Sequence, residues 1–256
     1  MKRKQWLAAL LALMVCAAPF GQFASAMGAR GSVTLGSADG FYTDGDFTYK
    51  LVKNVATLWS YDGYDTEVTV PSEVFGYPVK KISNSAFAER GFLEVVTISE
   101  GIELIGQATF QRCYALHTVN IPHSVRTIGR NAFSFCTSLA NISIPSGVVE
   151  MGDYVFSGCT KLTNVSLPNT LVELGCGAFS HCASLVYIQL PGSLHAIYVD
   201  TFRLCDSLRT VGIPAGVYYI DDNALSNTPK QYAFLTPDHS AAYYFAIKHG
   251  IPTREP

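Results

Sequence analysis

Cysteine has the widest chemical reach of any residue in this 256-residue chain, and five of the seven cysteines share one spacing. Cys113, Cys136, Cys159, Cys182 and Cys205 each stand 23 residues after the one before. Thiols in register could pair, hold a metal or fill space. No Cys-x-x-Cys occurs, and a linear row suits tetrahedral zinc poorly, so no metal is expected. Cys176 lies off the register, in a column otherwise made of Gln107, Arg130, Asp153 and Val199, and is expected to be the accessible thiol. His123 and His195 fall in different columns and His117 and His181 are isolated, which suits surface histidines rather than a metal or catalytic centre. Asp39-Gly40, Asp44-Gly45 and Asp62-Gly63 are turn dipeptides, not a calcium loop. The chain also lacks a Gly-x-Ser-x-Gly elbow, a His-Glu-x-x-His pair and a phosphate-binding loop. No catalytic residue and no cofactor are expected, and the chain does not read as an enzyme.

The elements that would position such residues recur with the same step. Pro122, Pro145, Pro168, Pro191 and Pro214 form a column, as do Phe87, Phe110, Phe133, Phe156, Phe179 and Phe202, and Leu93, Leu116, Leu139, Leu162, Leu185 and Leu208. Two-residue alternation at Val119 and Ile121 predicts a short strand, which Pro122 ends because it lacks the ladder N–H. A second extended segment covers Val125 to Ile128. Gly129 is expected to turn the chain, and Ala132, Phe133 and Cys136 to form a short helical or 3₁₀ turn. One such coil cannot bury its apolar side alone, whereas stacked coils turn each column into a seam. Sulfurs of adjacent coils then sit about 4.8 Å apart, wider than the ~3.8 Å between β carbons that a disulfide prefers. Buried free thiols are the better reading.

The unit Leu-x-x-Val/Ile-x-Ile/Leu-Pro-x-x-Val/Leu-x-x-Ile-Gly-x-x-Ala-Phe-x-x-Cys, from Leu93 to about Thr228, resembles the BspA-type bacterial leucine-rich repeats. The resemblance implies an α/β repeat solenoid with parallel stacked strands, an N-terminal β-hairpin cap and a C-terminal helical cap. It also implies a secreted or surface-associated bacterial protein that binds other macromolecules. The expected organisation is a signal peptide over 1–26, a flexible leader over 27–46, a β cap with a first irregular repeat over 47–92, the solenoid over 93–230, and a cap over 231–256. Phe75-Gly76-Tyr77-Pro78 reads as an insertion. In the last segment Ser240 is a candidate N-cap and Gly250 a helix stop.

Composition agrees with a core-forming, exported chain. Hydrophobic residues make up 48% and charged residues 15%, with 18 basic against 20 acidic, which argues against disorder and against a nucleic-acid partner. Lys2-Arg3-Lys4, the apolar run from Trp6 to Ala18, and Ala24-Ser25-Ala26 have the three parts of a secretory leader. The apolar run is too short and too soon interrupted, by Pro19 and Gly21, for a transmembrane anchor. Loss of the leader leaves 15 basic and 20 acidic residues, a net charge of −5.

The outward residues of the first strand carry the binding expectation: Thr118, Asn120, Asn141, Ser143, Asn164, Ser166, Tyr187, Gln189 and Thr210, none of them charged. They form a candidate contact stripe for an extracellular protein, such as host matrix or a neighbouring cell surface. Cross-strand Thr, Ser and Asn ladders would select the same residues without any ligand. A glycan ligand, or a structural role as a spacer in an envelope layer, are the alternatives. Along the second segment Leu104, Val149, Val172, Tyr218 and Tyr219 add apolar character that suits a protein contact. A monomer is expected.

Overall fold

The structure is a computed structural model that describes residues 40–229 and 231–256. The expected signal peptide and residues 27–39 lie outside the described residues. Strands Gly40–Asp44, Phe47–Val52 and Val55–Tyr61 form an antiparallel meander. Its second turn is the two-residue pair Lys53-Asn54, both at positive φ (48° and 64°), the geometry that matches the twist of paired strands. Residues 40–46, expected in the flexible leader, therefore belong to the cap. Their Gly and Asp content hides a strand fixed by tertiary contacts, since Phe41 packs edge-on against Trp59 at 5.1 Å.

Val55–Tyr61 pairs in parallel with Tyr77–Ile82, and this changes the antiparallel cap into the first rung of a parallel stack of about nine turns. The insertion before that rung folds as its own tight hairpin, Glu73 and Val74 pairing Pro78 and Tyr77 across Phe75 and Gly76, both at positive φ. Two strand rows then run along the stack. The first row contains three ladders. One holds Glu67–Val70, Val95–Ile98 and Thr118–Asn120, the next Asn141–Ser143 and Asn164–Ser166, and the last Tyr187–Gln189, Thr210–Gly212, Ala233–Leu235 and Thr253–Arg254. The second row is continuous from the meander through Leu104–Ile105, Thr127–Ile128 and Glu150–Met151 to Glu173–Leu174, and Ala196–Ile197 with Tyr219–Ile220 form a separate pair. Partners are 23 residues apart, as in Thr127 with Glu150 and Ile142 with Val165. Stacking thus begins before residue 93 and continues past 230.

The third side of each coil is neither α-helical nor 3₁₀, contrary to the expectation from Ala-Phe-x-x-Cys; it is a run of turns. Two residues four apart adopt the left-handed region in each turn, for example Ala108 with Arg112, Asn131 with Phe135, and Gly177 with His181. That conformation turns their N–H groups out of the coil, toward the next one. Asn131 donates to the Asp153 carbonyl, Phe133 to Val155 and Phe135 to Ser157, at 2.8–2.9 Å. The same three bonds recur at each junction from Ser85 to Ser226. A helix would have used those N–H groups internally, and the stack would have lost its back ladder.

Inside, the phenylalanine column is a stack of buried rings with neighbouring centroids 5.1 to 5.9 Å apart between Phe87 and Phe202. The ladder cysteines are free and fully buried. Each thiol also donates to a backbone carbonyl of the coil before, Cys136 to Phe110 at 3.2 Å and Cys159 to Phe133 at 3.1 Å. Gly106, Gly129, Gly152 and Gly175 owe their identity to close approach. A β carbon there would lie 2.7, 2.7, 2.5 and 2.4 Å from backbone of the preceding coil, nearer than such atoms pack. The turn role expected for Gly129 is therefore corrected: its φ is not positive, and what it supplies is space.

The helix Ala241–His249 closes the last coil with Ala242 and Ala246 buried. Ser240 caps it by accepting from the Tyr243 N–H, and Gly250 ends it in the left-handed region. Its position after the last apolar column follows from the need to cover an otherwise open end of the stack.

Candidate binding face

The first strand row points one set of side chains into the core and the other outward, by the two-residue period of a strand. Among the outward residues Asn120, Asn141, Ser143, Asn164, Ser166, Tyr187 and Gln189 are exposed, and Thr118 and Thr210 are half-buried. Some of the stripe satisfies itself. Asn120 donates through Nδ2 to Thr97 Oγ1 at 3.1 Å, and Asn164 through Nδ2 to Asn141 Oδ1 at 2.6 Å. Tyr187 donates its hydroxyl to Gln189 Oε1 at 3.0 Å, and Gln189 donates through Nε2 to the Leu190 carbonyl at 3.0 Å. Gly212 makes room for this, since a β carbon there would stand 1.9 Å from Gln189 Oε1.

The nine expected residues do not form one site. Asn141, Ser143, Asn164, Ser166 and Tyr187, with Thr163 and Val186, line a shallow depression of about 610 Å³. Ser166 and Gln189 line a second one of about 360 Å³ with Asn169, Leu190 and Pro191. Thr118, Asn120 and Thr210 line neither. The apolar floor was not legible in the sequence: Val165 and Leu167 are only half-buried, whereas Ile142, Ile144, Ile188 and Leu190 in the same two columns are at most 5% exposed. Their residue types match the column and carry no sign of the difference. Val186, 47% exposed directly ahead of Tyr187, was findable, because its column otherwise holds His117, Ala140, Thr163 and Arg209. No charged residue lines either depression.

The second strand row presents Val149, Val172, Tyr218 and Tyr219 as exposed apolar groups, with Leu104 half-buried. His195 stacks on Tyr218 at 5.6 Å, and Tyr219 donates its hydroxyl to Asp221 at 3.1 Å. That bond to a carboxylate holds the Tyr219 phenol above its ordinary pKa. Among the described residues no group of three His, Cys, Asp or Glu side chains is placed to hold a metal. Burial pushes the thiols of Cys113, Cys159 and Cys205 up to about 12. They are neutral at physiological pH and unsuited to nucleophilic work. Cys176 is half-buried, and its thiol is also raised, first by desolvation and then by Asp153.

Residues 66–162 and 126–243 match the BspA type leucine rich repeat region, with six copies of the repeat. A leucine rich repeat protein of T. pallidum is similar in structure, at 28% sequence identity and a TM-score of 0.68, covering 83% of this chain and 97% of that one. A leucine-rich repeat protein of Bacteroides ovatus, also 28% identical, superposes with a TM-score of 0.54 over 76% of this chain and 61% of its own length. No curated protein matches the sequence.

Proposed function

The chain belongs to the BspA type leucine rich repeat family, and we propose that it is a non-catalytic binding module whose first strand row receives an extracellular protein. Proteins of this family are typically bacterial cell-surface proteins, and no helix among the described residues is long and apolar enough to cross a membrane. Export by the leader at 1–26 is included in the same proposal. The observation that carries it is the uncharged depression from Asn141 to Tyr187, with a half-buried aliphatic floor at Val165 and a Tyr187 ring 47% exposed at its rim. Surfaces that only face water usually carry Lys and Glu. A floor of this kind instead suits an uncharged polypeptide segment that brings an apolar side chain, with Tyr187 as the aromatic anchor.

The test is capture of extracellular proteins by the full chain, followed by titration of the isolated partner. Tyr187→Ala, alone and combined with Asn164→Asp, is expected to weaken binding at least about tenfold, the size of an anchor worth more than ~1.4 kcal/mol. Unchanged affinity would remove this face from consideration. A glycan array that retained ligands when no protein did would replace the protein partner by a sugar.

A further inference from the structure

The coil that starts at Asn164 meets the coil that starts at Tyr187 in a way that no other described pair of coils does. On the first row, Asn164–Ser166 pairs back to Asn141–Ser143 and leaves Tyr187–Gln189 unpaired on that side. On the second row, Glu173–Leu174 pairs back to Glu150–Met151 and leaves Ala196–Ile197 likewise. The first row has one other interruption, between Asn120 and Asn141, but there the second row remains joined through Thr127 and Glu150. At the 164/187 junction only the back is closed by hydrogen bonds. Gly177 donates to Val199 at 3.0 Å, Phe179 to Thr201 at 2.9 Å and His181 to Arg203 at 2.7 Å. The Phe179 and Phe202 rings are still stacked, at 5.9 Å.

This junction is also where the glycine column ends. Gly106, Gly129, Gly152 and Gly175 let consecutive coils close to distances that forbid a β carbon, and the next member of the column is Tyr198. Asp221 follows, and its N–H still donates to the Ile197 carbonyl at 2.9 Å. A β carbon alone is therefore not enough to separate neighbouring coils. Tyr198 adds a ring, which leans toward Tyr219 at 6.2 Å between centroids. Both depressions of the binding face lie across this same junction, and the half-buried Val165 and Leu167 belong to the coil just before it.

We propose that Tyr198 is a wedge that holds the strand side of the 164/187 junction open while the back ladder acts as its hinge, and that this opening creates the groove in which the partner's apolar side chain sits. Tyr198 is a positioning residue: it lines neither depression and acts through the separation of the coils. The second half of the proposal rests on the binding role argued above, whereas the wedge itself is measurable with no partner present.

Amide hydrogen exchange of the full chain reads it. The N–H groups of Val186, Tyr187, His195 and Ala196 are expected to exchange at least about tenfold faster than those of Arg209, Thr210, Tyr218 and Tyr219, which make the corresponding bonds one coil later. Tyr198→Gly completes the column, and is expected to slow the first group to the rate of the second and to raise the melting temperature. Tyr198→Phe keeps the ring and is expected to leave exchange as it is. Asp221→Gly, whose junction is already paired, is expected to change nothing at Val186 to Ala196. Fast exchange that persists in Tyr198→Gly overturns the wedge, as does equal slowing by Asp221→Gly or a Tyr198→Gly chain that fails to fold. If exchange slows in Tyr198→Gly but a bound partner's affinity is unchanged, the wedge stands and the groove is not the seat.

Discussion

Thr228 donates its hydroxyl to the carbonyl oxygen of Phe202, the bond that a thiol makes in each of the five coils before it. The column is thus selected for a small side chain with one donor aimed backward along the stack, and apolarity alone does not describe it. A buried carbonyl left without its donor is costly. Cys159→Ala is expected to lose about 1–3 kcal/mol in urea denaturation, and Cys159→Ser, which restores a donor, to lose clearly less. Equal losses in the two variants would show that the bond contributes nothing.

Stability should fall in alkaline solution through the same column. Thiols held at about 12 by burial in Cys113, Cys159 and Cys205 keep their protons where the unfolded chain, with thiols near 8.5, has given them up. The unfolded state then binds fewer protons, so stability is complete below about pH 8.5 and is lost as pH rises toward 12, by up to ~1.4 kcal/mol per unit for each titrating thiol. Thermal melts between pH 7 and pH 11 check this. A flat profile above pH 9 would contradict buried, neutral thiols.

The ring stack supplies much of the core. Phe156 is fully buried between Phe133 and Phe179, at 5.5 and 5.7 Å, and Phe156→Ala is expected to cost about 3–5 kcal/mol. A denaturation midpoint equal to that of the wild type would be incompatible with a continuous stack.

Gly152 tests the spacing of the strand rows. Its missing β carbon would fall 2.5 Å from the Arg130 nitrogen, so Gly152→Ala must push the coils apart where Thr127 pairs Glu150. A loss of about 1–3 kcal/mol, the usual range for overpacking, is expected, with faster amide exchange at Val149 and Glu150. Gly192, which meets nothing within 4 Å, is the control and should accept alanine with little change.

The sequence by itself determined the period, the seams and the caps. A residue type repeated every 23 positions can be satisfied only by stacking identical coils, so Phe, Leu and Cys columns translate directly into buried rows. The N-cap Ser240 and stop Gly250 are local signals, and the helix they bound follows from local hydrogen bonding. The uncharged stripe was legible for the same reason, since strand alternation assigns each residue a side. Tertiary structure alone decided the rest. Left-handed turn residues as unlike as Ala108, Phe135 and His181 share a conformation because the back ladder needs their N–H groups pointing to the next coil, which no single residue type encodes. The strand at Gly40–Asp44 exists because Phe47–Val52 pairs with it. Which stretch of the stripe becomes a groove depends on where two coils fail to close, and that is set by Tyr198, a residue outside the stripe whose contacts lie 23 positions away along the chain and one coil away in space.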